Sequence, residues 1–201
     1  MGNAVGSNFS WYALSNNPQV TGESLTTQTG DLITDLLVNT SNLPQSVIYR
    51  VTPTSDPQGC TGATFDVVIT VNPVPTASTT DNNDPLCSGG STNITVNNPN
   101  SVAGTTYNWS APATPGIAEL ASPAGATNQP LTTHIVQTLT NTTGSPVTVT
   151  FTVTPVGPAP TYCMGTPVTE TVTVNPTPAG TISASASPVC SGSPVDLSFT
   201  P

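Results

Sequence analysis

The sequence has almost no basic residues and few charges of either sign. Arg50 is its one basic side chain among 201 residues, against ten acidic residues, and the formal net charge is −9. Binding to nucleic-acid phosphates or to an anionic membrane surface requires clustered Lys and Arg, so this composition argues strongly against both partners. We expect the acidity to keep an extracellular surface soluble.

Several kinds of site are also missing. The chain has one histidine, His134, and no Cys-x-x-Cys pair, so the sequence offers no zinc site. Asp and Glu are scattered without a pair suited to acid–base chemistry, and no nucleophile is recognisable beside His134. We therefore predict no enzyme and no cofactor.

Long apolar stretches are absent as well. No run of about 18 apolar residues occurs, so we expect no membrane insertion. The opening Met1-Gly2-Asn3 does not begin a signal peptide, and we expect any export signal to lie outside this chain.

The chain is instead rich in Thr, Ser and Asn, in patterns of period two. Residues 146–155 alternate Val and Phe with Thr, and residues 167–174 alternate Val with Thr. Such alternation is typical of strands with one buried face and one solvated face. Many short strands separated by turns predict an all-β fold of antiparallel β-sandwiches.

The most informative pattern is a repeat of about 103 residues. Val71-Asn72-Pro73 returns as Val174-Asn175-Pro176, an offset of 174 − 71 = 103, and both Cys60 and Cys87 return at the same offset. Fixed-period similarity indicates a tandem array, and arrays commonly serve as spacers, stalks or filaments.

The repeat divides the chain into three parts. We predict a complete sandwich over 76–178, with seven short strands at 76–80, 91–97, 105–110, 117–120, 132–140, 146–155 and 167–174. Residues 1–75 match it from the third strand onward and so form an incomplete repeat that lacks the first two strands. Residues 179–201 match those first two strands of a further repeat. The dipeptides Val74-Pro75 and Thr177-Pro178 end the complete repeat on either side, and their prolines favour short, fairly stiff linkers.

Two explanations fit this division. The chain is either a window of a longer array, or a subunit whose last strands complete the front of the next molecule, as in strand-donating polymers. Head-to-tail donation does not close on itself and would build a filament. The expected partners are therefore adjacent repeats or copies of the chain itself.

The four cysteines are disulfide candidates, because matched spacing in a Lys-poor chain is typical of an oxidising compartment. Cys87 pairs either with Cys163 inside one repeat or with the equivalent of Cys163 in the following repeat. If tails are donated, Cys190 links to Cys60 of a neighbouring molecule under the first scheme and to its Cys163 under the second.

Aromatic residues at matched positions predict the core of each sandwich: Trp11, Tyr49, Trp109 and Phe151. The one acidic cluster near a linker, Asp81-Asn82-Asn83-Asp84, is a weak calcium candidate through Asp81 and Asp84. It lacks a bidentate Glu and reads more simply as a turn.

Several segments together resemble a known repeat type. They are Leu86-Cys87-Ser88-Gly89, Thr105-Thr106-Tyr107-Asn108-Trp109, Gln137-Thr138-Leu139-Thr140-Asn141 and Thr150-Phe151-Thr152-Val153-Thr154-Pro155. This combination is similar to the PKD-like (immunoglobulin-like) repeats of giant surface proteins of Bacteroidetes. The resemblance implies a β-sandwich, export to the bacterial cell surface, and service in large adhesins or gliding-associated proteins. It implies no enzyme and identifies no tip ligand.

The sequence therefore predicts a structural segment of an extracellular fibre or adhesin stalk. Two other functions remain open at this point. One is a binding module in which loops such as 111–129 recognise a glycan or a protein, and the other is an accessory domain of a secreted enzyme.

Overall fold

The structure is a computed structural model that describes residues 6–14, 17–118, 120 and 124–200, and these residues form strands joined by turns and loops. We call the part up to residue 75 the front unit, residues 76–178 the central unit, and residues 179–200 the tail hairpin.

The front unit contains one four-stranded sheet and one short strand pair. The sheet has the order β3-β1-β5-β6 and the pair consists of β2 and β4, all antiparallel. The strands are β1 (Ser7–Ala13), β2 (Val20–Thr21), β3 (Gln28–Thr29), β4 (Val38–Asn39), β5 (Gln45–Ser55) and β6 (Phe65–Val71).

The described part of the central unit contains ten strands. They are β7 (Ser78–Asp81), β8 (Leu86–Cys87), β9 (Gly90–Ser91), β10 (Ile94–Asn97), β11 (Thr106–Ala111), β12 (Ile117–Ala118), β13 (Ala124–Pro130), β14 (Thr138–Asn141), β15 (Val147–Val156) and β16 (Val168–Asn175). One sheet has the order β13-β11-β15-β16-β8, in which β8 runs parallel to β16. The other combines β12-β14-β9 with the β10-β7 pair through a bridge between Ile94 and Ile135.

A single apolar core lies between the two sheets of the central unit. Strict alternation turns every second residue of β15 and β16 toward the opposite sheet, because side chains in a strand point to alternate faces. The core combines both sheets, which makes the unit an immunoglobulin-like sandwich; its fully buried apolar members include Ile94, Tyr107, Ile135, Leu139, Val149, Phe151, Val153, Val172 and Val174.

The front unit has the same strand register with a smaller core. Trp11 lies opposite Val51 just as Trp109 lies opposite Val153. The Trp11 and Tyr49 rings meet edge to face with their centroids 5.8 Å apart, and the Trp109 and Phe151 rings are tilted by 46° with their centroids 5.9 Å apart. Trp11, Tyr49 and Phe151 are buried, whereas Trp109 is half-buried against the core.

An asparagine closes the same turn in both units. The side-chain amide of Asn141 donates to the carbonyls of Ser145 and Val174, and that of Asn39 donates to the carbonyls of Leu43 and Val71. A buried amide is stable only when its polar atoms are paired, so this clamp fixes how the loop after each asparagine meets the last strand.

The tail hairpin repeats the first two long strands of the central unit. Its strands β17 (Thr181–Ala184) and β18 (Leu197–Thr200) pair antiparallel. Ile182 lies opposite Phe199, as Thr79 lies opposite Val96, and each of the four residue pairs is displaced by 182 − 79 = 103. The turn glycines Gly89 and Gly192 have φ of 84° and 85°, in the left-handed region that favours glycine.

The strand predictions need several corrections. The segment 124–130 is a strand paired with β11, so the loop expected over 111–129 is partly a sheet edge. Residues 132–140 form a strand only from Thr138. The short strand β8 was not predicted, and the predicted strand 91–97 is interrupted, with Ser91 in β9 and Ile94–Asn97 in β10. Gly, Pro and Asn in these segments hide the alternation on which strand prediction depends.

The burial difference between the units predicts unequal costs for the same substitution. Leu139 is fully buried, whereas its counterpart Leu37 is half-buried. We expect Leu139→Ala to destabilise the central unit by about 2–5 kcal/mol, and Leu37→Ala to destabilise the front unit by clearly less. Urea unfolding of dilute, reduced protein followed by tryptophan fluorescence measures both, because each unit contains one tryptophan. Equal losses would contradict the description of the front unit as less enclosed.

Candidate functional site

The inner face of β6 is exposed where its counterpart is buried. In the central unit Val172 of β16 is 0 % exposed, but the equivalent Ile69 of β6 is 40 % exposed. Val67 and Phe65 lie on the same face, two and four residues away from Ile69, and are exposed by 37 % and 48 %. Exposed apolar side chains in a row on one strand are unusual for a surface and indicate a contact site.

A cavity of about 210 Å³ continues this face into the front unit. Its apolar lining comes from Ile33 and Leu37 of the segment before β4 and from Tyr49, Val67 and Ile69 of the sheet. We call these five residues the open face. In the central unit the positions of Ile33, Leu37, Tyr49 and Ile69 are held by buried core residues: Ile135, Leu139, Phe151 and Val172.

In the central unit this space is filled from β8 and β10. Leu86, Ile94 and Val96 extend into the core and are 6 %, 0 % and 2 % exposed. Their counterparts in the tail hairpin, 103 residues later, are Val189, Leu197 and Phe199, which are 46 %, 54 % and 77 % exposed. The chain therefore carries both an unfilled core and an unburied copy of the segment that fills such a core.

Inside the open face lies a carboxylate that the sequence analysis missed. Asp35 accepts hydrogen bonds from the Tyr49 hydroxyl at 2.6 Å, from the Ser24 backbone N–H at 2.6 Å and from the Ser24 hydroxyl at 2.8 Å. The signal was present, because Ile33, Asp35 and Leu37 alternate and so share a face. The central unit has Gln137 at this position.

These contacts shift both ionisation equilibria. Burial raises the pKa of Asp35, but the hydrogen bonds from Tyr49 and Ser24 lower it more, so the net pKa lies below the ordinary value. Burial, together with the hydrogen bond to Asp35 and its charge, raises the pKa of Tyr49. Asp35 is thus an anion that anchors Tyr49 at neutral pH.

None of the four cysteines forms a disulfide in this structure; Cys163 is half-buried and the other three are exposed. The strand register places Cys87 and Cys163 at opposite ends of the central unit. Cys87 follows Leu86, which is beside Val174 and thereby beside Val147, whereas Cys163 precedes Met164, which bridges to Val156. The separation along β15 is 156 − 147 = 9 residues, or about 30 Å.

That distance bears on the choice between a Cys87–Cys163 bond inside one repeat and a bond from Cys87 to the equivalent of Cys163 in the following repeat. A disulfide requires Cα atoms within about 7 Å, so Cys87 and Cys163 of one unit cannot join in this fold. Cys163 instead lies where the front and central units meet. It lines a cavity of about 140 Å³ with Asn72 of the front unit and Thr161 of its own turn.

The side chains of the two calcium candidates are bound to backbone N–H groups. Asp81 accepts hydrogen bonds from the N–H groups of Asn83 and Asn93, and Asp84 accepts one from the N–H of Thr173. Across the described residues, no three His, Cys, Asp or Glu side chains gather as a metal site would require. These contacts account for both aspartates as parts of a turn, and their role as calcium ligands stays a prediction.

Arg50, Asp66 and His134 make side-chain contacts within their own units. Arg50 of β5 binds Asp66 of β6 through two 2.8 Å hydrogen bonds, which lower the pKa of that carboxyl. His134 Nδ1 lies 2.5 Å from the Asn93 side-chain oxygen. Nothing in the described ranges is a helix of the length and hydropathy needed to cross a bilayer.

The lowered pKa of Asp35 predicts a pH-dependent contribution to the front unit. A carboxyl with a depressed folded-state pKa adds stability above its unfolded pKa, and that stability is lost as the pH falls through the folded value. We expect Asp35→Asn to destabilise the front unit by about 1 kcal/mol or less at pH 7, because solvent screens the half-buried carboxylate, and by a smaller amount at pH 3, where the unfolded chain already binds the proton. Urea titrations of both proteins at the two pH values test this; a gap of the same size in acid would contradict it.

No curated protein matched the sequence. A solved structure titled "Protocadherin gammaB7 EC3-6 cis-dimer structure" aligns with 92 % of this chain at 13 % identity and a TM-score of 0.33. The chain spans 44 % of that structure's length.

A family model described as "PKD-like domain" matches residues 1–75 and again residues 84–178. The two matched stretches coincide closely with the front and central units, and together they cover most of the 201 residues. Domains of this kind are typically extracellular adhesion or structural repeat modules and are generally non-catalytic. On this match and on its two sandwich-type units, the chain belongs to the PKD-like domain family.

Proposed function

We propose that this chain is a structural segment of an extracellular fibre or adhesin stalk at a bacterial cell surface, and that copies join head to tail. In this assembly the tail hairpin of one copy fills the open face of the next. Residues 1–75 are then an incomplete repeat, 76–178 a complete one, and 179–201 the donated strands. The observation that carries the proposal is the pairing of an unfilled core with an unburied copy of its missing segment.

Register supports this fit in detail. In the central unit Leu86 and Cys87 run parallel to Val174 and Asn175. The same arrangement would set Val189 and Cys190 beside Val71 and Asn72 of the receiving copy. The edge of β6 that faces away from β5 would then be covered by strand hydrogen bonds.

The hydrogen bonds between Asn141 and Ser88 in the central unit also support the proposed docking. The Asn141 N–H donates to the Ser88 hydroxyl at 2.9 Å, and that hydroxyl lies 3.2 Å from the Asn141 carbonyl. The tail hairpin carries Ser191 at the position of Ser88, and the front unit carries Asn39 at the position of Asn141. The polar contacts that lock the segment in place are therefore also duplicated.

The energy available from this docking is considerable. Burying an exposed aliphatic or aromatic side chain stabilises by about 1.5–3 kcal/mol, and docking would bury Val189, Leu197 and Phe199 together with Ile69 on the receiving side. Association entropy opposes this with about 4–15 kcal/mol, so added backbone and clamp hydrogen bonds are needed for a stable complex.

Such a contact builds a linear polymer. The donating hairpin and the receiving face are different surfaces, so each copy that receives a hairpin still presents its own. The alternative occupant of the open face is the equivalent hairpin of a preceding repeat in a longer array.

Substitutions in the tail hairpin test the donor side. We expect the reduced wild-type chain to sediment as concentration-dependent oligomers and to appear as threads in electron micrographs. Leu197→Asn with Phe199→Asn should leave it monomeric, because both side chains enter the apolar cavity. The matched control is Thr200→Asn on the opposite strand face, which matches Asn97 of the central unit and should assemble normally. A monomeric wild type would overturn the proposal.

Substitutions in β6 test the receiving side. Ile69→Asn places an amide in the open face and should reduce assembly at least tenfold, since an unpaired buried amide costs about 1–3 kcal/mol in addition to the lost apolar contact. The matched control Val68→Thr lies on the outer face, where the central unit has Thr171, and should assemble as wild type does. Analytical ultracentrifugation of both variants gives the comparison, and equal effects would count against the open face as the contact.

A further inference from the structure

We infer that each head-to-tail contact is sealed by two disulfides between the same two molecules, one from Cys190 to Cys163 and one from Cys87 to Cys60. This inference rests on the proposed assembly and adds a covalent connection to it. All four cysteines of each interior copy would then be used, without any bond inside a single molecule.

The junction of the front and central units gives the geometry of the first bond. Asn72 Nδ2 donates to the Thr161 hydroxyl at 3.0 Å, and that hydroxyl lies 3.5 Å from the Cys163 sulfur. The Asn72 side chain therefore points toward Cys163 across the junction. Any residue paired with Asn72 on the outer side of β6 is brought to the same place.

The donated hairpin supplies that residue. Cys87 is the partner of Asn175 in the central unit, so Cys190 becomes the partner of Asn72 in the receiving copy. Neighbouring strands lie about 4.8 Å apart, and paired residues point to the same side of the sheet. Because Leu86 turns into the core, the side chain of Cys87 turns outward, and the Cys190 thiol would face outward toward Cys163 in the same way.

The second bond, from Cys87 to Cys60, follows because Cys87 has the same position in the donor's central unit as Cys190 has in the donated hairpin. Cys60 and Cys163 occupy equivalent turns: the Ser55 N–H donates to the Cys60 carbonyl at 2.9 Å, as the Gly157 N–H does to the Cys163 carbonyl at 2.8 Å. When a hairpin is donated, the front unit of the receiving copy becomes the repeat that follows the donor's central unit. Cys60 of the receiver then meets Cys87 of the donor.

Formation of each bond is a two-electron oxidation. Two thiols lose two protons and two electrons as the sulfur–sulfur bond forms, and a small-molecule disulfide such as oxidised glutathione is reduced to two thiols by exchange. The absence of a disulfide within the unit is consistent with this arrangement, because about 30 Å separates Cys87 from Cys163. The cysteines mark the two ends of each repeat.

Double serine variants of the full chain test the pairing. After assembly in reductant and then exposure to oxidised glutathione, wild type should give a ladder of multimers on non-reducing gels. Cys163→Ser with Cys190→Ser keeps one proposed pair, as does Cys60→Ser with Cys87→Ser, so both should retain the ladder. Cys60→Ser with Cys190→Ser breaks both pairs, as does Cys87→Ser with Cys163→Ser, so both should lose it.

The design contains its own folding control, because every cysteine is replaced once in a variant that should retain the ladder and once in a variant that should lose it. A ladder that persists in Cys87→Ser with Cys163→Ser would show the Cys60–Cys190 pairing and overturn the inference. Ladders in all four variants would show random cross-linking and also overturn it.

The state before oxidation separates this inference from the proposed function. Oligomers in reductant that fail to become covalent would overturn the disulfides and leave the strand donation standing. A chain that stays monomeric in reductant would overturn the donation itself, and with it the disulfides.

Discussion

The structure depends on the burial of the inner face of one sheet by two strands from the first part of the repeat. In the central unit, β8 and β10 place Leu86, Ile94 and Val96 over the inner face of β15 and β16, and the core becomes closed. In the front unit the same sheet exists without that segment, and Ile69 remains 40 % exposed. A sheet with one apolar face requires a second layer, so the front unit is stable only as far as its own short strands and loops supply one.

The open face also explains differences between the two units that would otherwise look accidental. Tyr49 stands where the central unit has Phe151, and its hydroxyl donates to Asp35. The resulting half-buried carboxylate lines the cavity, beside apolar walls. An occupant of this face must therefore be apolar where it meets Ile33 and Ile69, and it meets a fixed negative charge at its border.

Much of the architecture follows from the sequence, because period-two alternation and the 103-residue repeat are strong signals. The alternation predicted β15 and β16 and their buried valines, and the family match confirms the PKD-like fold. The parts that were missed depend on less patterned residues. The strand β13 is rich in Ala, Gly and Asn, and its pairing is decided by the neighbouring β11. The sequence also left the cysteine pairing inside one repeat open, since that choice depends on which end of β16 each cysteine occupies.

The single arginine of the chain occupies a protected position in the sheet of the front unit. Arg50 lies in β5, between β1 and β6, and its guanidinium is bound to Asp66. Trypsin cleaves after Lys or Arg and needs an extended, unpaired substrate segment, so it has one target here, and that target is locked inside a sheet. Trypsin would therefore cleave only molecules in which the sheet β3-β1-β5-β6 of the front unit has opened. The rate of this single cleavage then reports how often that sheet opens.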